Sequence, residues 1–276
     1  MPVRFPTLPL AALLALVASA QPLVAQNRPS HEHGEDDFGD CGWEGHDDEV
    51  RFCTVRERGM GGVKKLDVDP GVNGGVRIIG WSRDSTFIRA RVDANASSES
   101  AAKAMADQVK IDISGGRIRV SGPRRRDNTP WAVTFVIHVP VRTDVAVTTE
   151  NGPVDVDGVS GEIHLSATNG PVSLFRLGGN VVARAENGPL TVDLEGRTWS
   201  GKGLDAETTN GPVMLAIPEG YSAQLETGTI NGPLSVEVPM TVTLGRNGTG
   251  RLNATLGKGG APVRVVTTNG PATINR

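Results

Sequence analysis

Thr148-Thr149-Glu150-Asn151-Gly152-Pro153-Val154-Asp155-Val156 decides the fold, because its central tripeptide returns five more times. Asn-Gly-Pro stands at Asn151-Gly152-Pro153, Asn169-Gly170-Pro171, Asn187-Gly188-Pro189, Asn210-Gly211-Pro212, Asn231-Gly232-Pro233 and Asn269-Gly270-Pro271, in steps of 18, 18, 23, 21 and 38 residues. A period near 20 residues marks stacked coils, none stable alone, and the last step is close to two periods. Asn and Gly tolerate the backbone of a sharp corner, and Pro at the first position of a strand gives up a donor where none is needed. Each tripeptide therefore reads as a structural turn.

An alternating apolar series follows each corner: Val154 and Val156, Val172 and Leu174, Leu190 and Val192, Val213 and Leu215, Leu234 and Val236. Half a period later comes a second strand, with Ile163, Leu165 and Ala167, then Val181, Ala183 and Ala185, then Leu204, Ala206 and Thr208, then Ala223, Leu225 and Thr227. These are read as inward columns of parallel strands spaced by ~4.8 Å, with the corner asparagines stacking into a ladder. The predicted fold is an all-β solenoid of coils of about 18–23 residues, with one short helix in its N-terminal part. Calcium-dependent β-rolls share the 18-residue period, but their corners need carboxylates, and these corners hold Asn, Gly and Pro.

Toward the N-terminus, the runs 66–70, 72–81 and 88–92 read as strands, and 98–109 reads as a helix capped by Ser97 or Ser98. Ile111–Ser114 and Ile118–Val120 flank Gly115-Gly116-Arg117 as a hairpin, and 131–139 is a further strand. Residues 1–25 read as a signal peptide, with Arg4 before the apolar run Leu8 to Ala18 and cleavage after Ala20 or Ala25. Residues 26–60 read as an acidic, disordered segment, and the β-domain is expected over 61–276. From 31 to 50 there are nine acids and no Lys or Arg. Cys41 and Cys53 enclose eleven residues, a spacing that suits one disulfide in an oxidising compartment better than a redox or metal pair. His31, His33 and His46 are weak metal candidates, since nothing fixes them in geometry.

The run Thr148 to Val154, repeated as Thr208-Thr209-Asn210-Gly211-Pro212-Val213 and Thr267-Thr268-Asn269-Gly270-Pro271, with Gly158-Val159-Ser160-Gly161 between, resembles the bacterial putative-adhesin repeat domain, a family of unknown function. The resemblance covers roughly residues 62 to 276 and implies a β-helix-like module of the cell envelope. It carries no catalytic residues with it.

Net charge is -3, which disfavours nucleic acid, and no later segment approaches the ~20 apolar residues of a transmembrane helix. A polysaccharide lyase or hydrolase would need a column of carboxylates on neighbouring coils. Outward Asp155 and Asp157 lie instead over Ser173 and Phe175, then Thr191 and Asp193, while Arg184 aligns with Glu207 and Glu226 as a surface ion-pair column. His138 and His164 lack a nucleophile partner and read as surface residues. Arg124-Arg125-Arg126 reads as a solvated loop. Trp199 and Tyr221, on segments that bulge from the stack, are the candidate ligand-binding aromatics. The expected function is a non-catalytic, exported binding or structural module, with no cofactor and a cell-surface glycan or protein as partner. The alternatives are a carbohydrate-active enzyme and a self-assembling envelope scaffold.

Overall fold

The computed structural model describes residues 41, 50–123, 131–237, 243–244 and 250–276, within the compact unit Phe38–Arg276. Among them are one helix and two large sheets, of ten and eleven strands, neither closed into a barrel. The N-terminal elements are β1 (Val50–Gly61), β2 (Lys65–Asp69), β3 (Val76–Trp81), β4 (Ser85–Ala96), α1 (Glu99–Gln108), β5 (Lys110–Ser114), β6 (Arg117–Ser121) and β7 (Trp131–Pro140). The repeats supply β8 (Asp144–Asn151), β9 (Val154–Asp157), β10 (Ser160–Asn169), β11 (Val172–Phe175), β12 (Gly178–Asn187), β13 (Leu190–Asp193), β14 (Gly203–Asn210) and β15 (Val213–Ala216). The chain ends with β16 (Ala223–Asn231), β17 (Leu234–Val236), β18 (Thr243–Leu244), β19 (Arg251–Leu256), β20 (Pro262–Asn269) and β21 (Ala272–Asn275).

Every Asn-Gly-Pro carries the chain from the eleven-stranded sheet into the ten-stranded one, as at β8 to β9 or β12 to β13. Successive coils pair in parallel with their corner asparagines in register. The inward columns are buried: Val145, Ile163, Val181, Leu204, Val263 and Leu225 form one, and Val76, Val154, Val172, Leu190, Val213 and Ala272 another. Burying each such Val, Leu or Ile side chain stabilises by about 1.5–3 kcal/mol, so the stack is held by its aliphatic columns.

Hydrogen bonding explains the tripeptide position by position. The Gly N–H donates to the Asn carbonyl of the next coil, as from Gly152 to Asn169 at 2.8 Å. The residue after Pro donates to the next Pro carbonyl, as from Val154 to Pro171 at 2.9 Å. The Pro nitrogen lies between these two bonds and needs no acceptor. A Cβ on Gly170 would lie 2.2 Å from the Gly152 carbonyl oxygen, at φ +147°, so only glycine lets the corners approach this closely. The asparagine side chains form the expected ladder, Asn169 donating through Nδ2 to Asn151 Oδ1 at 2.9 Å, Asn187 to Asn169 at 3.1 Å and Asn210 to Asn187 at 2.9 Å. Inside the corner, buried Thr149, Thr208 and Thr267 each donate through Oγ1 to a glycine carbonyl of the adjoining coil.

Four features differ from the sequence expectation. First, coil order is not chain order: β20 and β21 insert between the β14/β15 coil and the β16/β17 coil, so Asn269 sits between Asn210 and Asn231. Second, a seventh corner, Asn73-Gly74-Gly75, joins β2 to β3 and opens the ladder, accepting from Asn151 Nδ2 at 3.4 Å. Third, Leu225 rather than Ala223 continues the Leu204 column, and Glu226 joins the Asp205 row rather than the Arg184 row. The extra residues of the long coil precede its strand, so register is preserved only by counting back from Asn. Fourth, among the described residues a strand, β1, already spans Val50–Gly61, ahead of the expected start of the β-domain at 61. The acidic run stops at Glu49, and the β-rich segment after it pairs along its whole length with β4.

The Cys41–Cys53 disulfide ties the start of this unit to β1, with Cα atoms 5.5 Å apart. Helix α1 is capped by Ser98, whose Oγ accepts from Ala101 N at 3.3 Å. At its other end Arg56 of β1 donates to the carbonyls of Ala106 and Val109, where a cation suits the helix dipole. Gly115-Gly116 makes the expected tight hairpin between β5 and β6, both glycines having positive φ. Residues 1–25, expected to be a signal peptide, and residues 124–126 lie outside the described residues.

Candidate functional site

The outward face of the eleven-stranded sheet carries a groove of about 820 Å³ over β12, β14, β20, β16 and β19. Its polar floor follows from register. The residue five before each corner Asn points outward, and parallel pairing sets Val182, Asp205, Arg264 and Glu226 in one row. At one strand spacing, ~4.8 Å, opposite charges on adjacent strands meet without distortion.

Arg264 is the hub of that row. Its Nη1 donates to Asp205 Oδ1 at 2.7 Å and to Glu207 Oε2 at 2.9 Å, and its Nε lies 3.5 Å from Glu226 Oε1. Arg184 pairs with the other Asp205 oxygen, and Arg251 donates to Glu226 Oε1 at 2.9 Å. At the rim, Lys202 Nζ and Asn180 Nδ2 donate to the two oxygens of Glu162, at 2.9 and 2.7 Å. Thr255 Oγ1 donates to Gln224 Oε1 at 3.0 Å. Each of these partly exposed ion pairs contributes under about 1 kcal/mol.

Burial pushes the Asp205 carboxyl up, but hydrogen bonds and charge from Arg184 and Arg264 outweigh it and hold the group below the usual carboxylate range. Glu162 is likewise held low, first by Asn180 and then by Lys202. Burial opposes the charge on Arg264, yet Asp205 and Glu207 raise its pKa. The groove therefore presents fixed anions and cations, together with the Gln224 and Asn253 amides, Thr255 and the exposed Lys202 ammonium. Such a lining suits a ligand rich in hydroxyl, carbonyl and amide groups.

The aromatics singled out in the sequence are elsewhere. Trp199 and Tyr221 are 6% and 4% exposed and belong to the core. The loop after Gly196 folds back on the stack, with Trp199 Nε1 donating to the Gly179 carbonyl at 3.0 Å and Ser200 O accepting from Gly179 N. No ring face is left for a sugar, so these two residues are structural. Burial pushes the Tyr221 hydroxyl up to about 12. His164 is exposed. His138 is half-buried, its ring 4.9 Å from that of Trp81, which in turn lies 4.9 Å beneath the Arg83 guanidinium. Asp155, Ser173 and Thr191 align outward as expected, as do Asp157, Phe175 and Asp193.

His31, His33 and His46 lie outside the described residues. Among the described residues no group of three or more His, Cys, Asp or Glu could hold a metal ion. Asp205, Arg264, Lys202 and Gln224 were missed as a group because β20 comes from the distant C-terminal end of the chain. Counting five residues back from each Asn would have found Asp205, Glu226 and Arg264, but not their neighbour order.

Residues 83–275 match the family described as Toastrack DUF4097. Among solved structures, a putative cell adhesion protein from Clostridium sporogenes is 13% identical, over 80% of this chain and 99% of that one, with a TM-score of 0.40. A putative adhesin from Bacteroides fragilis is 10% identical over 81% and 96%, with a TM-score of 0.36. A putative lipid binding protein from Parabacteroides distasonis is 6% identical over 80% and 96%, with a TM-score of 0.28. No curated protein matches the chain.

Proposed function

The chain belongs to the Toastrack DUF4097 family, and from that premise we propose that it is an exported, non-catalytic β-solenoid that binds an extended polar polymer, a cell-surface glycan or protein segment, along the groove of its eleven-stranded sheet. The groove carries the reading. It offers amide, hydroxyl and charged groups at one strand spacing on a rigid stack, which suits a ligand whose own groups repeat. The solenoid reading is supported by parallel coils meeting at Asn-Gly-Pro corners. Export is supported by the Cys41–Cys53 disulfide and by the apolar run Leu8 to Ala18. Among the described residues no helix is long and apolar enough to cross a membrane.

The non-catalytic half is supported by the state of the groove's carboxylates. Glycoside hydrolysis needs one carboxyl held protonated to act as acid, whereas two guanidinium groups hold Asp205 ionised. The test is an array of glycans and envelope polymers probed with the wild type, Lys202→Glu and Gln224→Ala. Binding that both substitutions weaken supports the reading. It fails if no polymer binds, or if both variants bind as the wild type does. Release of reducing ends or unsaturated products from the same polymers would overturn the non-catalytic half.

A further inference from the structure

Eight Asn-Gly dipeptides occur in the chain. Asn247-Gly248 lies outside the described residues, and the other seven are the rungs of the corner ladder: Asn73, Asn151, Asn169, Asn187, Asn210, Asn269 and Asn231 in spatial order. Asn-Gly is chemically labile, because glycine puts no Cβ in the path of its own backbone nitrogen toward the Asn side-chain amide. In that reaction the Gly nitrogen bonds to Asn Cγ and loses its proton. The Cγ–Nδ2 bond breaks, and Nδ2 leaves as ammonia. The cyclic imide then takes up one water and opens to aspartate or isoaspartate. Water is the only co-reactant and nothing is oxidised or reduced.

The seven dipeptides start alike, and the fold separates them. In six the attacking nitrogen is engaged: Gly74, Gly152, Gly170, Gly188, Gly211 and Gly270 each donate to the Asn carbonyl of the next rung, at 2.8–3.1 Å. Those six glycines are buried or half-buried. Gly232 is exposed, as is Asn231, and among the described residues nothing accepts from the Gly232 N–H. The asymmetry comes from the polarity of the stack. Each of those six Gly N–H groups points to the following rung, and among the described residues the last rung has no acceptor ahead of it. Chain order would make Asn269 the last rung. Insertion of β20 and β21 makes it Asn231, and Asn231 O accepts from Gly270 N at 3.1 Å.

We propose that Asn231 is a site of spontaneous covalent modification, converting to aspartate or isoaspartate in the folded protein while the other six rungs are protected. The product loosens the rung it occupies. Asn231 Nδ2 now donates to Asn269 Oδ1 at 2.8 Å. A carboxylate there has no donor and turns an anionic oxygen toward that acceptor.

The test compares folded, disulfide-intact protein with the same protein unfolded in urea, both held at mildly alkaline pH. Peptide mapping with fragmentation locates each converted Asn, and enzymatic methyl transfer reports isoaspartate. In urea the seven rungs should convert at comparable rates. In the folded protein Asn231 should convert roughly tenfold faster or more than any other rung, because interior rungs react only after local opening. The proposal is overturned if Asn269 or an interior rung converts as fast as Asn231 in the folded protein, or if Asn231 is as protected as they are.

Discussion

Replacing Gly188 by alanine measures how much of the stack's stability depends on close approach at the corners. A Cβ at Gly188 would lie 2.1 Å from the Gly170 carbonyl oxygen and 2.6 Å from its carbon, at φ +154°. Backbone atoms cannot swing aside as a flexible side chain can, so the corner must move by about an ångström to restore van der Waals contact. That shift, away from the Gly170 coil, breaks the bond from Gly170 N to Asn187 O (2.9 Å) and the ladder bond from Asn187 Nδ2 to Asn169 Oδ1 (3.1 Å). Two hydrogen bonds contribute about 1 kcal/mol each, and an L-residue in this backbone region costs about 1–3 kcal/mol. The expected loss is about 3–5 kcal/mol, a large share of a typical domain stability of 5–15 kcal/mol. Gly196→Ala is the internal control. Gly196 also has positive φ, +77°, but a Cβ there meets nothing within 4 Å, so only left-handed strain of about 1–2 kcal/mol applies. Urea titration of both variants, compared at equal m-value, gives the difference. Equal destabilisation of the two would refute the corner-approach account.

Other perturbations reach other parts of the stack. Asn187→Ala removes both ladder bonds of an interior rung and should cost about 1–2 kcal/mol in thermal denaturation. Asn231→Ala removes one ladder bond and should cost about half as much. Asp205 has its folded pKa below the ordinary 3.8, so its stabilisation is complete above that value and is lost as pH falls through the lower folded value. The denaturation midpoint of Asp205→Asn should therefore fall less than that of the wild type on acidification below the ordinary carboxylate range, and parallel curves would contradict the ion-pair assignment. Tyr221 is the single tyrosine, so tyrosinate absorbance should titrate as one group near 12 in the folded protein and near 10 in urea. Stability should drop between those two values, because the unfolded state gives up the proton first. Deleting residues 262–276 removes β20 and β21 from between two coils, and the truncated chain should lose cooperative unfolding monitored by circular dichroism.

Much of this architecture is legible in the sequence because local chemistry dictates it. Asn-Gly-Pro places corners, the period-two series places inward columns, Ser98 starts the helix and Gly115-Gly116 closes the hairpin. What is not legible is neighbour order. Each coil offers the same parallel edge and the same Asn corner, so nothing local tells β14 to pair with β20 rather than β16. The groove depends on that choice, since Arg264 meets Asp205 and Glu226 only after insertion. Trp199 and Tyr221 misled for a different reason. Their segments are rich in Gly and Pro and read as surface bulges, whereas the indole and phenol are buried in the hydrophobic core. Asn73-Gly74-Gly75 escaped the repeat because Gly75 stands where the other corners have Pro, in a space Pro153 of the next coil fills.

The inserted terminal coil also bears on how the chain is completed in time. A polypeptide is made from its N-terminus, so β8 to β15 can be added coil upon coil as they emerge. The strand β16 emerges before the strand it rests on, because β20 follows it in the chain. Until then β16 has no correct neighbour on that side, and the charged row of the groove lacks Arg264 at its centre. The finished sheet thus waits on a strand made after the one it supports: a chain stopped before β20 keeps its first coils but lacks the centre of the groove's charged row.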